Sequence, residues 1–146
     1  MKLRSAFTLI ELIFVIVVLG ILAAVAIPRL GNNMEHAKIA KAQGDVAAIR
    51  SAIASARQKM LVTGNNQYIS SLSTGSTYLF DGNGSVPLLT YAIAANSGAG
   101  WSRTSTSPEQ YTFTIETGKT AVFTYTSANG KFDCDHSTTY CKKIAE

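Results

Sequence analysis

One charged side chain inside an otherwise apolar run constrains this chain more than any other feature. Residues 5–28 read SAFTLIELIFVIVVLGILAAVAIP, and from Phe7 to Ile27 Glu11 is the only charge. As a helix rising about 1.5 Å per residue, that run spans roughly 30 Å, the thickness of a bilayer's hydrocarbon core. A carboxylate at the centre of a membrane helix costs about 2.5–3.5 kcal/mol on insertion scales. Lys2 and Arg4 lie on the N-terminal side of the run. By the positive-inside rule that end stays in the cytoplasm and the remainder is exported.

Three readings accommodate the run. In the first it is a secretory signal peptide, with "AVA" at 24–26 as the small-residue cleavage site and a small binding domain released after Ala26. Against this, the run exceeds the 7–15 residues of a signal core and Glu11 interrupts it. In the second it is a plain anchor for an exported binding domain or enzyme. Glu11 then lies one turn from the start and snorkels to the interface. In the third the chain is cut between Ala6 and Phe7. Phe7 then carries a free amine, and Glu11, four residues on, lies one helical turn away on the same side. Alternatively, Glu11 of one subunit pairs with the Phe7 amine of its neighbour, which rewards one register of assembly over all others.

The segment FTLIEL behind a short basic leader resembles the processing site of type IV prepilins and type II secretion pseudopilins, over residues 1 to about 30. The resemblance implies a structural filament subunit, not an enzyme. A prepilin peptidase would cut between Ala6 and Phe7 and methylate the Phe7 amine. Glu11 would be the assembly carboxylate, and at Gly20 and Pro28 the helix would bend or loosen in the filament. The chain departs from the family pattern at Ala6, where Gly is usual. The implied partners are other pilins or pseudopilins, in a homo- or hetero-oligomeric filament, and an inner-membrane assembly platform. The implied location is the inner membrane with the head periplasmic, then a periplasmic or cell-surface filament. Its uses would be secretion, adhesion and motility, or DNA uptake, and only the last brings a nucleic-acid partner. No cofactor is implied.

Beyond Pro28, which removes a helical donor, helical periodicity resumes. Ile39, Ala42, Val46, Ile49, Ile53, Ala56 and Met60 form one apolar stripe. Lys41 and Asp45 are spaced for an i,i+4 pair, and Gly44 weakens the helix by about 1 kcal/mol relative to Ala. The pattern predicts one long helix from Phe7 to about Leu61, divided into a leader at 1–6, a membrane and assembly part at 7–28 and an amphipathic part at 29–62. The alternative is two helices broken near Gly31–Asn33.

Residues 63–146 form the head. "TGNN" at 63–66 ends the helix. "DGNGS" at 81–85 has the alternating oxygens of half a calcium loop, Asp81 among them, but reads first as a turn. "VPLLTYAIA" at 86–94 reads as a strand or short buried segment, and 96–108 as a polar loop carrying Trp101. Tyr111, Phe113 and Ile115, then Ala121, Phe123 and Tyr125, alternate as two strands. A loop at Thr117–Lys119 pairs Phe113 with Phe123 and Tyr111 with Tyr125, gathering the aromatics on one face. An Asn129-Gly130 turn then pairs Tyr125 with Cys134 and adds Phe132 to that face. The fold class is α+β, type IV pilin-like, with the long helix backing a small antiparallel sheet.

Cys134 and Cys141 fit export, because an oxidising compartment and a small core favour a disulfide. Free thiols, or a zinc site with His136, are the alternatives. Asp133 and Asp135 are placed to sit near a cation or simply in solvent, and His36 falls on the helix surface. Lys142 and Lys143 form a small basic tip. Past the apolar run the charges are 11 Lys/Arg against 8 Asp/Glu, the totals of 13 and 9 less Lys2, Arg4 and Glu11. That is too mild a surplus to signal nucleic acid. No catalytic constellation is evident.

Overall fold

The computed structural model describes residues 7–146, apart from the side chains of residues 28–30 and 32. The leader at 1–6, including Ala6, lies outside the described residues. The chain divides into two compact units, Met1–His36 and Ala37–Glu146.

The first unit contains the start of helix α1 (Leu9–Val62), which is helical through Pro28 and Gly31 without interruption. The expected alternative of a break near Gly31–Asn33 is therefore wrong. One missing donor at proline does not stop a helix whose flanking turns remain bonded. Every residue from Phe7 to Ile27 is exposed, so these described residues bury no core of their own.

The second unit holds the core. All seven stripe residues, Ile39 through Met60, are buried, as their spacing predicts. The helix stops where "TGNN" begins. Gly64 takes φ +81°, and its N–H donates to Leu61 O at 3.0 Å while Asn65 N–H reaches Met60 O at 2.9 Å. This double closure needs a left-handed residue, which glycine supplies without a Cβ clash.

Against the stripe stands a four-stranded antiparallel meander, β3-β4-β5-β6, beside a two-stranded ribbon, β1-β2. The strands are β1 (Tyr78–Leu79), β2 (Ile93–Ala94), β3 (Gly100–Thr106), β4 (Glu109–Glu116), β5 (Lys119–Thr126) and β6 (Lys131–Cys134). Alternation buries Tyr111, Phe113 and Ile115 on β4, and Ala121, Phe123 and Tyr125 on β5. Phe132 joins them, and Trp101 meets Phe113, Phe123 and Phe132 within 5.1–6.1 Å between ring centroids. The Trp101 indole N–H donates to Asp45 on α1 at 3.0 Å, tying the first strand of the meander to the helix.

Several expectations need correction. Both hairpin registers are two residues from those expected. The β4–β5 turn is Thr117-Gly118, with Glu116 opposite Lys119. A bulge between Thr114 and Glu116 then restores parity, pairing Tyr111 with Phe123 and Phe113 with Ala121. The Ile115 carbonyl is taken by Lys38 Nζ at 2.8 Å. The β5–β6 connection spans four residues, 127–130, and pairs Tyr125 with Phe132 and Phe123 with Cys134. A two-residue Asn-Gly turn needs positive φ at both positions. Gly130 adopts it, whereas Phe80 is the one non-glycine with positive φ among the described residues. Asn129 instead accepts the Lys131 N–H through its side-chain oxygen at 3.0 Å. A slip of two keeps every side chain on its face, so the aromatic face forms as expected.

The segment 96–108 is not simply a loop. Strand β3 occupies 100–106, with Trp101 and the stem of Arg103 turned inward. Only Ile93–Ala94 of the segment 86–94 is strand. A second helix, α2 (Thr139–Ala145), stands where only a disulfide loop was expected, and it buries Cys141 and Ile144.

The inward Arg103 meets Glu109, which is 8% exposed. Glu109 Oε1 accepts from Arg103 Nη2 at 2.9 Å, Ser71 Oγ at 2.8 Å and the Tyr111 hydroxyl at 2.6 Å, and the Leu72 N–H donates to both carboxylate oxygens at 3.2 Å. Burial, then the Glu109 contact, pushes the Tyr111 phenol far above its ordinary range, and burial pushes Tyr125 up to about 12. Both therefore remain donors at any physiological pH. Glu109→Ala removes the carboxylate that pairs with Arg103 and accepts from Leu72 N–H and Tyr111, leaving Arg103 and Tyr111 only their contacts to Ser71 and Ser73, and is expected to cost about 3–5 kcal/mol. The measure is the urea midpoint of the detergent-solubilised chain, and a loss below about 1 kcal/mol contradicts this reading.

Candidate functional site

The N-terminal expectations converge on Phe7–Glu11. Phe7 and Thr8 precede the helix, whose first residue is Leu9. Thr8 acts as its cap: its carbonyl accepts the N–H groups of Glu11 at 3.1 Å and Leu12 at 3.2 Å, and its hydroxyl accepts the Glu11 N–H at 3.4 Å. Glu11 therefore lies in the first helical turn, where the helix dipole favours a negative charge. Phe7 stands just before the helix start, with its backbone nitrogen still joined to Ala6; the ion pair expected between the Phe7 amine and Glu11 belongs to the cut chain. Thr8 was missed in the sequence. A Thr three residues before a Glu, ahead of an apolar run, is the signal that identifies it.

Phe7 and Glu11 are both exposed, and a Cβ built on Gly20 meets no atom within 4 Å. Around Pro28 only the helical backbone is described. Leu9–Ile27 is long and apolar enough to cross a membrane. Among the described residues it is exposed along its whole length.

The second expected site is the C-terminal clasp. Cys134 and Cys141 are joined by a disulfide, with Cα atoms 5.8 Å apart. Both sulfurs are consumed, which rules out the free-thiol and zinc alternatives. Closing so short a loop is worth about 2–3 kcal/mol on the chain-entropy model. Asp133 is surrounded by cations of the chain itself: Arg50 Nη2 at 3.0 Å, Lys131 Nζ at 3.2 Å and His136 Nε2 at 3.0 Å. Asp135 accepts the Ser137 N–H at 2.9 Å. Asp81 accepts the Thr74 N–H at 2.8 Å and, through its other oxygen, the Thr74 hydroxyl. These contacts satisfy the carboxylates at both places where a cation was considered. His36 is exposed on α1, in the other unit.

Residues 1–27 match the family model of the prokaryotic N-terminal methylation motif. The chain is 46% identical over 50 residues to a type II secretion system core protein G of Pseudomonas aeruginosa, covering 34% of this chain and 35% of that protein. It is 41% identical over 56 residues to a fimbrial protein of Pseudomonas aeruginosa, covering 38% and 36%. It is 39% identical over 52 residues to a type IV major fimbrial protein FimA of Dichelobacter nodosus, covering 36% and 33%. The chain thus matches about a third of the length of these curated relatives. No solved structure matches it. The long helix and small antiparallel sheet agree with a type IV pilin-like α+β fold.

The clasp generates a pH dependence. Both ring nitrogens of His136 face carboxylates, Asp133 at 3.0 Å and Glu146 at 3.3 Å, and only the imidazolium donates to both. Hydrogen bonding to Asp133, then to Glu146, raises His136 above its ordinary 6.5. Partial burial works to raise Asp133, but hydrogen bonds from His136, the Cys134 N–H and Lys131 outweigh it and hold the carboxyl below its ordinary 3.8. A raised histidine stabilises below pH 6.5 and loses that contribution as pH rises through its folded value. A lowered aspartate stabilises above pH 3.8 and loses its contribution as pH falls through its folded value. The clasp is therefore tightest between these limits. An NMR titration of His136 should give a midpoint above 6.5 that drops in Asp133→Asn; a midpoint at or below 6.5 in the unaltered chain refutes the bridge.

Proposed function

We propose that this chain is a structural subunit of a bacterial type IV filament, a pilin or a type II secretion pseudopilin, and not an enzyme. The observation that carries the reading is the exposed apolar helix Leu9–Ile27 with Glu11 in its first turn, lying within the matched methylation motif. A prepilin peptidase cuts between Ala6 and Phe7 and methylates the new amine. The subunit waits in the inner membrane with its N-terminus cytoplasmic and its head periplasmic. An inner-membrane platform then moves it into a filament, where the apolar surface passes from lipid to the helices of other pilins or pseudopilins.

The partner for Glu11 is supplied between subunits. The carboxylate of one meets the Phe7 amine of the next, and the pair fixes the stagger. Gly20, which has open space around it, lets neighbouring helices approach closely. Pro28 leaves one carbonyl without its helical donor, a place for the helix to loosen on packing.

Two measurements test the reading. The mass of the subunit recovered from purified filaments should correspond to a chain beginning at methylated Phe7. The co-purifying subunits then identify whether the filament serves secretion, adhesion and motility, or DNA uptake. Uncut Met1 in membranes supports a simple anchor instead, and soluble protein starting at Ile27 supports release of a secreted domain. Glu11→Ala should still be processed and reside in the membrane but assemble no regular filaments, since it leaves the neighbour's amine buried without a partner, at about 3–5 kcal/mol per contact. Normal filaments from that variant overturn the charge pairing.

A further inference from the structure

We propose that the head binds a neutral sugar ring, in a recess of about 410 Å³ formed by the loop after α1, the β3–β4 turn and the start of the β5–β6 connection. Such binding goes beyond the filament role and does not depend on polymerisation.

The recess is built around a buried pair. Arg103 and Glu109 both line it, and their side chains are only 13% and 8% exposed. Their partners inside the chain leave part of each unused. Glu109 Oε1 accepts from Arg103, Ser71, Leu72 and Tyr111, whereas Oε2 accepts only the shared Leu72 N–H, at 3.2 Å, among the described residues. Arg103 donates through Nη1 to Ser73 O at 3.1 Å and through Nη2 to Ser71 and Glu109. Its Nε–H is buried and has no partner among the described residues. Buried polar groups of a folded chain are nearly all paired. A spare acceptor and a spare donor on two residues lining one recess point to a partner from outside the chain.

The rest of the lining selects the chemistry of that partner. Segments 70–71, 106–107 and 126–127 each bring two Ser or Thr residues, whose hydroxyls both donate and accept. Pro108 and Ala128 add apolar surface beside them. The charges of Arg103 and Glu109 cancel, so a charged ligand would lose its hydration and meet no net counter-charge. An apolar ligand would strand the hydroxyls and the free side of Glu109. A neutral ring with hydroxyls on its edge and C–H groups on its faces satisfies both kinds of surface. The volume falls within the range of small-molecule sites, about 300–1,000 Å³.

The test is an NMR titration of the isotope-labelled full chain in micelles of a detergent without a sugar head group. The neutral probes are the methyl glycosides of glucose, galactose and mannose, with maltose and lactose; the anionic probes are phosphate and N-acetylneuraminate. The amides of Ser71, Thr106 and Ser127 should shift and saturate with at least one neutral probe, with Kd of ~1 mM for so few ligand atoms. A disaccharide that binds tighter than its methyl monosaccharide indicates a glycan chain as the source, and equal affinity a free sugar; both support the site. Ser127→Trp and Ala128→Trp, at exposed positions lining the recess, fill it and should each weaken binding by about tenfold or more. An unmoved Trp101 indole signal shows that the head is intact, and if one variant disturbs that signal the other decides. Three results overturn the proposal: no saturable shift with any neutral probe, shifts that persist in a correctly folded Trp variant, or tighter binding of either anion, which would make the recess an anion site at Arg103.

Discussion

The structure depends on one helix facing two surroundings. From Ile39 to Met60 an apolar stripe finds its partner within the chain, in the inward face of the meander. From Leu9 to Ile27 the helix is apolar all round and finds no partner. At about 25 cal/mol per Å² of apolar surface, leaving such a segment in water is prohibitive. It must be covered by lipid or by other chains. The proposed function uses both covers in turn, which is why little further machinery is needed in the subunit itself.

The head is held by a different balance. Its sheet is narrow, and the aromatic cluster centred on Trp101 and Phe132 supplies most of the mass of its core. Where polar groups enter, they enter paired. Glu109 binds Arg103, Tyr111, Ser71 and Leu72; Asp45 binds the indole of Trp101; Lys38 takes the carbonyl at the bulge. The Ser71, Leu72, Asp45 and Lys38 contacts join elements distant in sequence. A buried polar group is costly unless satisfied, so these contacts select one arrangement of helix, loop and sheet from among the many an apolar core would accept.

Much of this was legible in the sequence because it follows from period. The stripe at spacings of three and four, the two alternating strands and the glycine that ends α1 are local patterns, and each took the form expected. What was not legible depended on partners far along the chain. Strand β3 has only Trp101 as a large apolar inward residue, and Arg103 fills an inward position only because Glu109, on the facing strand two residues from its register partner Tyr111, pairs with it. Both hairpins slipped by two because turn chemistry at Gly118 and Asn129, and a bulge beside Ile115, override the loop lengths that propensity suggests. Helix α2 is too short for periodicity to show. At the N-terminus the motif was visible but its geometry was not: the cap at Thr8 excludes Phe7 from the helix that a simple count of residues had placed it in.

The Glu11 carboxylate, in the first turn, is already favoured by the helix dipole, by roughly 0.3–1 kcal/mol at exposed sites and up to about 2 kcal/mol when partly buried. This is less than the cost of placing it in hydrocarbon. The deficit keeps the residue in search of a full positive charge. The most economical source of positive charge at that depth is the same terminus on another copy or a homologous subunit. On this reading the neutralisation of Glu11 is a property of the polymer.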